Sequence, residues 1–180
     1  MKLLNLLMLL IMFNSCSFWN DDIKRDDDKL TIPKTPFTGN QLRIDGYYYT
    51  LFNNEINTIY VYYQNGVFQH FGVSKCGMDF NKAELYFSNA NSLKVIKNNK
   101  YFWGVFLIDG DNIKKEEWQP SSVAFPVYTS EGKILNDTTI LFTKLYRLQN
   151  GEKTGLTTIN ETYHFRKFSP KPDSTNVFIK

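Results

Sequence analysis

Between residues 42 and 73 the chain carries three short runs of apolar, aromatic and β-branched residues, separated by Asn53-Asn54 and by Asn65-Gly66. β-Branched and aromatic side chains suit the pleated surface of a sheet. Asn and Gly tolerate the positive φ angles that two-residue hairpin turns require. The stretch therefore predicts three consecutive antiparallel strands, and in the third of these Phe68 and His70 share one face.

Strand-forming runs separated by turn residues return after residue 100. Further strands are predicted over residues 101–108, 113–118, 125–130, 133–135, 138–148 and 161–168, with turns at Asp109-Gly110-Asp111-Asn112 and at Glu131-Gly132. Between the two groups, apolar residues recur at helical spacing and predict one helix over about residues 81–91, extending toward Ile96. A strand over residues 93–96 is the alternative for the end of that segment.

About eight or nine short strands at hairpin spacing, with one helix and no internal repeat, are typical of an antiparallel meander. Such a meander either closes into an up-and-down β-barrel or folds as two sheets packed face to face. Closure removes unpaired strand edges, so we expect a mainly β, up-and-down barrel over residues 42–168. Residues 101–108 are apolar on both faces and are predicted to be central, whereas the polar run 113–118 is predicted to be exposed or near an edge.

The chain opens with Lys2 ahead of an apolar run that is too short to cross a bilayer as a helix, which needs about 20 residues. This pattern over residues 1–15 indicates a secretory signal peptide. The run ends at Ser15-Cys16, which resembles the lipobox of bacterial lipoproteins, where cleavage precedes a cysteine that carries acyl chains. The resemblance implies an outer-membrane lipoprotein that is anchored at Cys16 by palmitate and related chains and faces the periplasm or the cell surface. An ordinary secreted protein is the alternative.

Residues 16–41 are rich in Asp and Lys, include Pro33 and Pro36, and show no sustained strand or helix period. This composition predicts a flexible acidic spacer between the lipid and the domain. Residues 169–180 are predicted to form a C-terminal tail. If Cys16 carries lipid, Cys76 has no partner and is expected to be a buried structural thiol, whereas a Cys16–Cys76 disulfide requires that Cys16 carry no lipid.

The segment LRIDGYY at residues 42–48 resembles the start of lipocalin-like barrels, where a glycine followed two positions later by an aromatic residue closes the bottom of the barrel. Gly46 and Tyr48 occupy those positions here, with Tyr in place of the lipocalin Trp. Together with the lipobox, the segments YFWGVFLIDGDNIKKEEWQPSS and NETYHFRKFSPKPDST resemble small lipocalin-like lipoproteins of flavobacteria and other Bacteroidota. The resemblance implies a barrel with an apolar interior and an open mouth that can hold a small ligand.

The formal net charge of +3 comes from 21 basic and 18 acidic residues without a block of Lys or Arg, so no nucleic-acid partner is expected. The only histidines, His70 and His164, lie in predicted strands without metal-ligand spacing around them, so neither a metal nor another cofactor is expected. Glu116 and Glu117 point to opposite faces of their strand and cannot form a close acid–base pair. With no nucleophile motif and no phosphate loop, the sequence predicts a protein that is not an enzyme.

Aromatic residues make up 16% of the chain, and such residues either fill a core or line a ligand cavity. Ordinary core packing is the alternative for most of them. The candidate ligand-lining residues are Tyr48, Tyr60, Tyr62, Phe71, Trp103, Phe106 and Tyr163. We expect a monomeric lipoprotein, held to membrane lipid through Cys16, that takes up a small apolar or amphipathic ligand. The alternative is a structural or assembly lipoprotein that binds an envelope protein complex through its surface.

Overall fold

The structure, a computed structural model, describes residues 27–72, 78–121, 124–149 and 152–180. In this part of the chain two short helices and a 3₁₀ turn lie between the third and fourth of eight strands. The strands are β1 (Gly46–Phe52), β2 (Glu55–Tyr62), β3 (Val67–Gly72), β4 (Trp103–Asp109), β5 (Asn112–Trp118), β6 (Val127–Asn136), β7 (Thr139–Gln149) and β8 (Glu152–Lys167). The helices are α1 (Phe80–Ser88) and α2 (Ala90–Lys97), followed by the 3₁₀ turn Lys100–Phe102.

Each strand pairs antiparallel with the next, and β1 pairs with β8, so the sheet closes on itself. The mainly β, up-and-down barrel predicted from the sequence is thereby confirmed. At the closing seam Gly46 lies opposite Lys167. A Cβ atom on Gly46 would lie 2.1 Å from the carbonyl oxygen of Arg166, so only glycine lets β1 approach β8 this closely.

The hairpin turns are also confirmed. Asn53 and Asn54 have φ angles of 51° and 65° between β1 and β2, and Gly66 has a φ of 83° before β3. Gly110, with a φ of 57°, turns β4 into β5 at the position predicted as a hairpin. These residues adopt the left-handed backbone conformation, which Asn and Gly reach with less steric strain than other residues.

Three predicted boundaries are wrong. The single helix is two helices, because Asn89 is extended and its side-chain carbonyl accepts hydrogen bonds from the amides of Asn91 and Ser92, capping α2. Glu131-Gly132 is a register shift inside the continuous strand β6 rather than a turn. β8 begins at Glu152, about nine residues earlier than predicted, because its polar first half pairs with the end of β7.

The apolar side chains form two clusters on the two faces of the sheet. One fills the inside of the barrel, and the other lies on the outer face of β1–β5 beneath α1 and α2. Ile32 and Ile179, from the predicted spacer and the predicted tail, are both buried in the outer cluster. From Asp27 onward the chain is therefore held against the barrel, and the expected flexible spacer over residues 16–41 does not extend to Gln41.

The signal peptide, Cys16 and Cys76 lie outside the described residues. The helices that the structure does describe are too short and too polar for any of them to cross a bilayer.

Candidate ligand-binding site

One half of the barrel interior is filled. We call this half, at the turns that join β2 to β3 and β6 to β7, the closed end. Tyr48, Tyr62 and Phe106 pack there edge to face, with ring centroids 5.7 Å and 5.0 Å apart for the two successive pairs. The Tyr48 hydroxyl donates a hydrogen bond to the Asp137 carbonyl, at 2.6 Å, and accepts one from the Arg43 amide, at 3.1 Å. These three candidate residues therefore form a plug, and none of them lines the large cavity of the barrel, although Phe106 borders a small pocket of about 220 Å³ beside residues 35–41.

Two other candidates, Phe71 and Trp103, are on the outer face of the barrel. Phe71 packs against Phe87 of α1, with ring centroids 4.6 Å apart. The Trp103 indole N–H donates to the carbonyl of Ile96 in α2, at 3.0 Å. Alternation along a strand separates the two faces but does not say which face is inside, so the sequence placed both residues in one set with the interior tyrosines.

The other half of the interior is hollow and opens between the β5–β6 connection and the junction of β7 with β8. This cavity has a volume of about 1050 Å³. Leu145, Leu148 and Ile159 form part of its wall, and Tyr60 and Tyr163 are the two candidate residues that line it. We call the open end the mouth, and we call Tyr60, His70, Lys115 and Glu117, which lie deepest beside the plug, the floor cluster.

The floor cluster is built around a buried ion pair. The Lys115 ammonium donates to Glu117 Oε1, at 2.8 Å, and to the Tyr60 hydroxyl, at 2.9 Å. It also lies 4.2 Å from the centre of the Tyr60 ring, within range of a cation–π attraction. Tyr60 in turn donates to Glu117 Oε1, at 3.2 Å, so Tyr60, Lys115 and Glu117 are each hydrogen-bonded to the other two.

The prediction that residues 113–118 are exposed or near an edge is wrong. In a closed barrel no strand is an edge, and alternate residues of β5 face inward. Lys115 and Glu117 are 2% and 4% exposed on the inside. Glu116 is fully buried on the outside, where it accepts hydrogen bonds from the backbone amides of Thr31 and Ile32. The expectation that Glu116 and Glu117 point to opposite faces is confirmed.

His70 and Phe68 share one face of β3, as the strand pattern predicts, and the structure shows that this face is the inner one; the His70 ring stacks on the Tyr60 ring at 5.0 Å. Burial lowers the pKa of His70, since the charged imidazolium would lose its hydration, and the Lys115 charge acts in the same direction against the attraction of Glu117. Burial alone would raise the pKa of Glu117, but the Lys115 ammonium, His70 and the hydrogen bonds from Lys115 and Tyr60 hold it below its ordinary value. The floor at neutral pH thus holds a neutral imidazole beside one compensated ion pair.

Two buried polar atoms of the floor have no hydrogen-bond partner among the described residues: His70 Nδ1 and Glu117 Oε2. They lie 3.5 Å apart, beyond the usual length of an N–H···O hydrogen bond. Nearer the mouth, Arg147 pairs with Asp28 at 2.9 Å, while its Nε is also buried without a partner. Buried polar groups are normally satisfied by protein or by ordered water, so we expect a water molecule or a ligand group at these atoms. The Tyr62 hydroxyl in the plug likewise has no partner among the described residues.

Among the residues that the structure describes, no three His, Cys, Asp or Glu side chains come together as a metal site. His164 lies on β8 opposite Tyr49 of β1, on the outer side of the wall, away from the cavity. Sequence reasoning missed Lys115 and Glu117 because charged residues are mostly exposed. Their alternation with Ile113 was the available signal, since the three share one face of β5.

Fold and cavity together define a closed, eight-stranded antiparallel barrel with a plugged end and an open, polar-floored mouth. Comparison of the chain with protein-family models, with curated proteins and with solved structures returns no match.

Proposed function

We propose that this protein is a membrane-anchored, non-enzymatic lipoprotein whose barrel takes up a small amphipathic ligand through its mouth. The observation that carries the proposal is the cavity itself, which combines apolar walls with a small number of convergent polar groups at its floor. That combination is characteristic of small-molecule sites. The sequence also allows a purely apolar ligand. Such a ligand fits less well, because it would cover the polar atoms of Glu117 and His70 without forming hydrogen bonds to them.

The positions of the polar and apolar residues that line the cavity set the orientation of the bound ligand. A polar head lies at the floor cluster, and an apolar body lies along Leu145, Leu148 and Ile159 toward the mouth. Catalysis is not part of the proposal, because Lys115 and Glu117 already neutralise each other and the imidazole of His70 lies against that pair. The floor is suited to holding a group rather than to transferring one.

The proposed tether brings this mouth close to lipid. Asp28 lines the cavity and lies only 12 positions after Cys16 in the chain. A fully extended chain of that length reaches roughly 40 Å. Acyl chains on Cys16 contribute ~0.8 kcal/mol per buried methylene, so two or three of them hold the protein at the membrane. The mouth would then stay within reach of a reservoir of amphipathic molecules.

The tether is tested by fractionating cells that express the Cys16→Ala variant. We expect the variant to appear as a soluble species or as an uncleaved precursor, whereas the unaltered chain stays with the membranes. Normal processing and full membrane retention of the variant would contradict the lipid anchor.

Ligand uptake is tested by titrating the protein with N-phenyl-1-naphthylamine, a neutral dye with an apolar two-part aromatic body and one N–H donor that fluoresces when it leaves water. We expect saturable binding that Leu145→Trp abolishes, because the larger ring occupies the wall of the cavity. Leu135→Trp is the matched control, since Leu135 is 55% exposed near the end of β6, away from the cavity. Absence of saturable binding, or equal binding by both variants, would remove the ligand proposal and leave the structural or assembly role.

A further inference from the structure

We infer that the head group taken by the floor cluster is an uncharged hydroxyl, so that the ligand is a neutral amphipathic alcohol rather than a fatty acid or an alkylamine. The inference rests on the proposed function and adds the chemical class of the head. It depends on the two buried atoms that lack partners and on the balance of charge around them.

The geometry of the two unpartnered atoms selects a group that both donates and accepts. A carboxylate beside a neutral imidazole favours the tautomer with its proton on the nearer nitrogen, which is Nδ1 of His70. An oxygen in the cavity, to the side of the line that joins the two atoms and about 2.8 Å from each, would then accept from Nδ1–H and donate to Glu117 Oε2. A hydroxyl does both. An ammonium cannot accept, and an ionised carboxylate cannot donate.

The charges that face the cavity exclude both kinds of ion from its floor. A carboxylate head would lie against Glu117, whose own charge is already matched by Lys115. An ammonium head would lie beside the Lys115 ammonium, which Tyr60 and Glu117 hold in place. Bringing an uncompensated charge into a buried, already neutral cluster costs more than the one new contact returns.

The charged groups nearer the mouth add to the case against an anionic head, while an ammonium head is opposed at the floor by Lys115. Arg147 is paired with Asp28, and Glu161 accepts a hydrogen bond from the Tyr163 hydroxyl at 2.9 Å. The two carboxylates and one guanidinium leave the upper cavity slightly negative, which further disfavours an anionic head on its way to the floor. A neutral alcohol meets no such opposition.

The experiment measures displacement of bound N-phenyl-1-naphthylamine by three probes with the same chain, 1-decanol, decanoate and decylamine, at neutral pH. We expect 1-decanol to displace the dye at about tenfold lower concentration than either ion, because only the hydroxyl can both accept from His70 and donate to Glu117. His70→Phe keeps the ring against Tyr60 but removes Nδ1, and it should reduce the preference to within about threefold. His164→Phe, at the outward-facing histidine, should keep the preference unchanged.

The outcomes separate the two proposals. If the dye binds and all three probes compete equally, or if decanoate or decylamine competes best, the alcohol inference is overturned while ligand uptake stands. If His70→Phe binds the dye and retains the full preference for decanol, the role of the floor cluster is overturned. If the unaltered protein does not bind the dye, the proposed function itself fails.

Discussion

At the scale of single residues, Tyr48 shows how the closed end is held. Its hydroxyl satisfies the Asp137 carbonyl and the Arg43 amide at once, joining the start of β1 to the β6–β7 turn. Tyr48→Phe removes both bonds and keeps the ring, so we expect the free energy of unfolding to fall by about 1–3 kcal/mol. Urea denaturation measures this loss.

Tyr49→Phe is the control for Tyr48→Phe, because the neighbouring Tyr49 ring lies on the outer face against Phe80 at 4.9 Å. We expect a change of less than about 0.5 kcal/mol there. Equal losses in the two variants would show that the Tyr48 hydroxyl does not hold the closed end.

His70 gives the stability of the barrel a pH dependence with a definite sign. The folded protein lowers the pKa of His70 below the ordinary value of 6.5, so below that pH the unfolded chain binds a proton that the native site disfavours. The free energy of unfolding therefore decreases as the pH falls below 6.5. His70→Phe should flatten this part of the stability curve, as measured by urea midpoints across a pH series.

Glu117 acts at lower pH with the same sign. Its pKa lies below the ordinary 4.5, so its contribution is fully present above that value and is lost as the pH falls through the folded pKa. The loss of stability that begins as the pH falls below 6.5 is assigned to the lowered pKa of His70. A His70→Phe curve parallel to that of the unaltered protein would contradict the assignment of this slope to His70.

At the scale of elements, a side chain of β5 binds the N-terminal segment to the barrel by hydrogen bonds. Glu116 is fully buried and accepts from the Thr31 amide at 2.6 Å, the Thr31 hydroxyl at 2.5 Å and the Ile32 amide at 2.9 Å. Glu116→Gln loses the charge and one accepting oxygen, so we expect a destabilisation of about 1–3 kcal/mol. Limited proteolysis should then cleave within residues 27–41 before it cleaves the barrel.

Lys114→Gln, on the outer side of the same strand, is the matched control and should change stability by less than about 0.5 kcal/mol. If Glu116→Gln resisted proteolysis as well as this control does, the segment would be held by its apolar contacts and not by the carboxylate.

The elements that the sequence predicted correctly are those whose signal is local. Asn53-Asn54 and Gly66 specify hairpins within a few residues, and the strands on either side follow. The first half of β8 lies outside the predicted strand at residues 161–168, because its polar residues form a strand only by pairing with the end of β7. The break between α1 and α2 at Asn89 also carried a local signal, a capping side chain, which the helical spacing of the apolar residues obscured.

The candidate site was less predictable because it exists only after closure. Tyr60 and Lys115 touch although they are 55 residues apart in the chain, and neither strand alone indicates that they share an interior. The aromatic excess selected Tyr60 and Tyr163, which line the cavity, and also Phe71 and Trp103, which lie on the other face of the sheet. Lys and Glu are usually exposed to solvent, whereas in β5 Lys115 and Glu117 face the interior. The sequence of β5 alone therefore does not predict the floor cluster.

At the scale of the whole molecule, the two halves of the interior differ in what they contain. The closed end is filled by packed aromatic side chains. The open half contains a cavity of about 1050 Å³, and buried polar atoms without partners lie at its floor. The helices and the described parts of both terminal segments pack on the outer face of β1–β5. This division supports the proposal that one half stabilises the barrel and the other half receives a ligand.

Native mass spectrometry of the full-length protein, extracted from membranes in mild detergent, tests ligand uptake most directly. We predict that the unaltered protein carries a reproducible small-molecule adduct in the cavity and that Leu145→Trp, which fills the cavity wall, lacks it. Identical spectra for the two proteins, with the same adduct or with none, would contradict the claim that the mouth of this barrel is a ligand site.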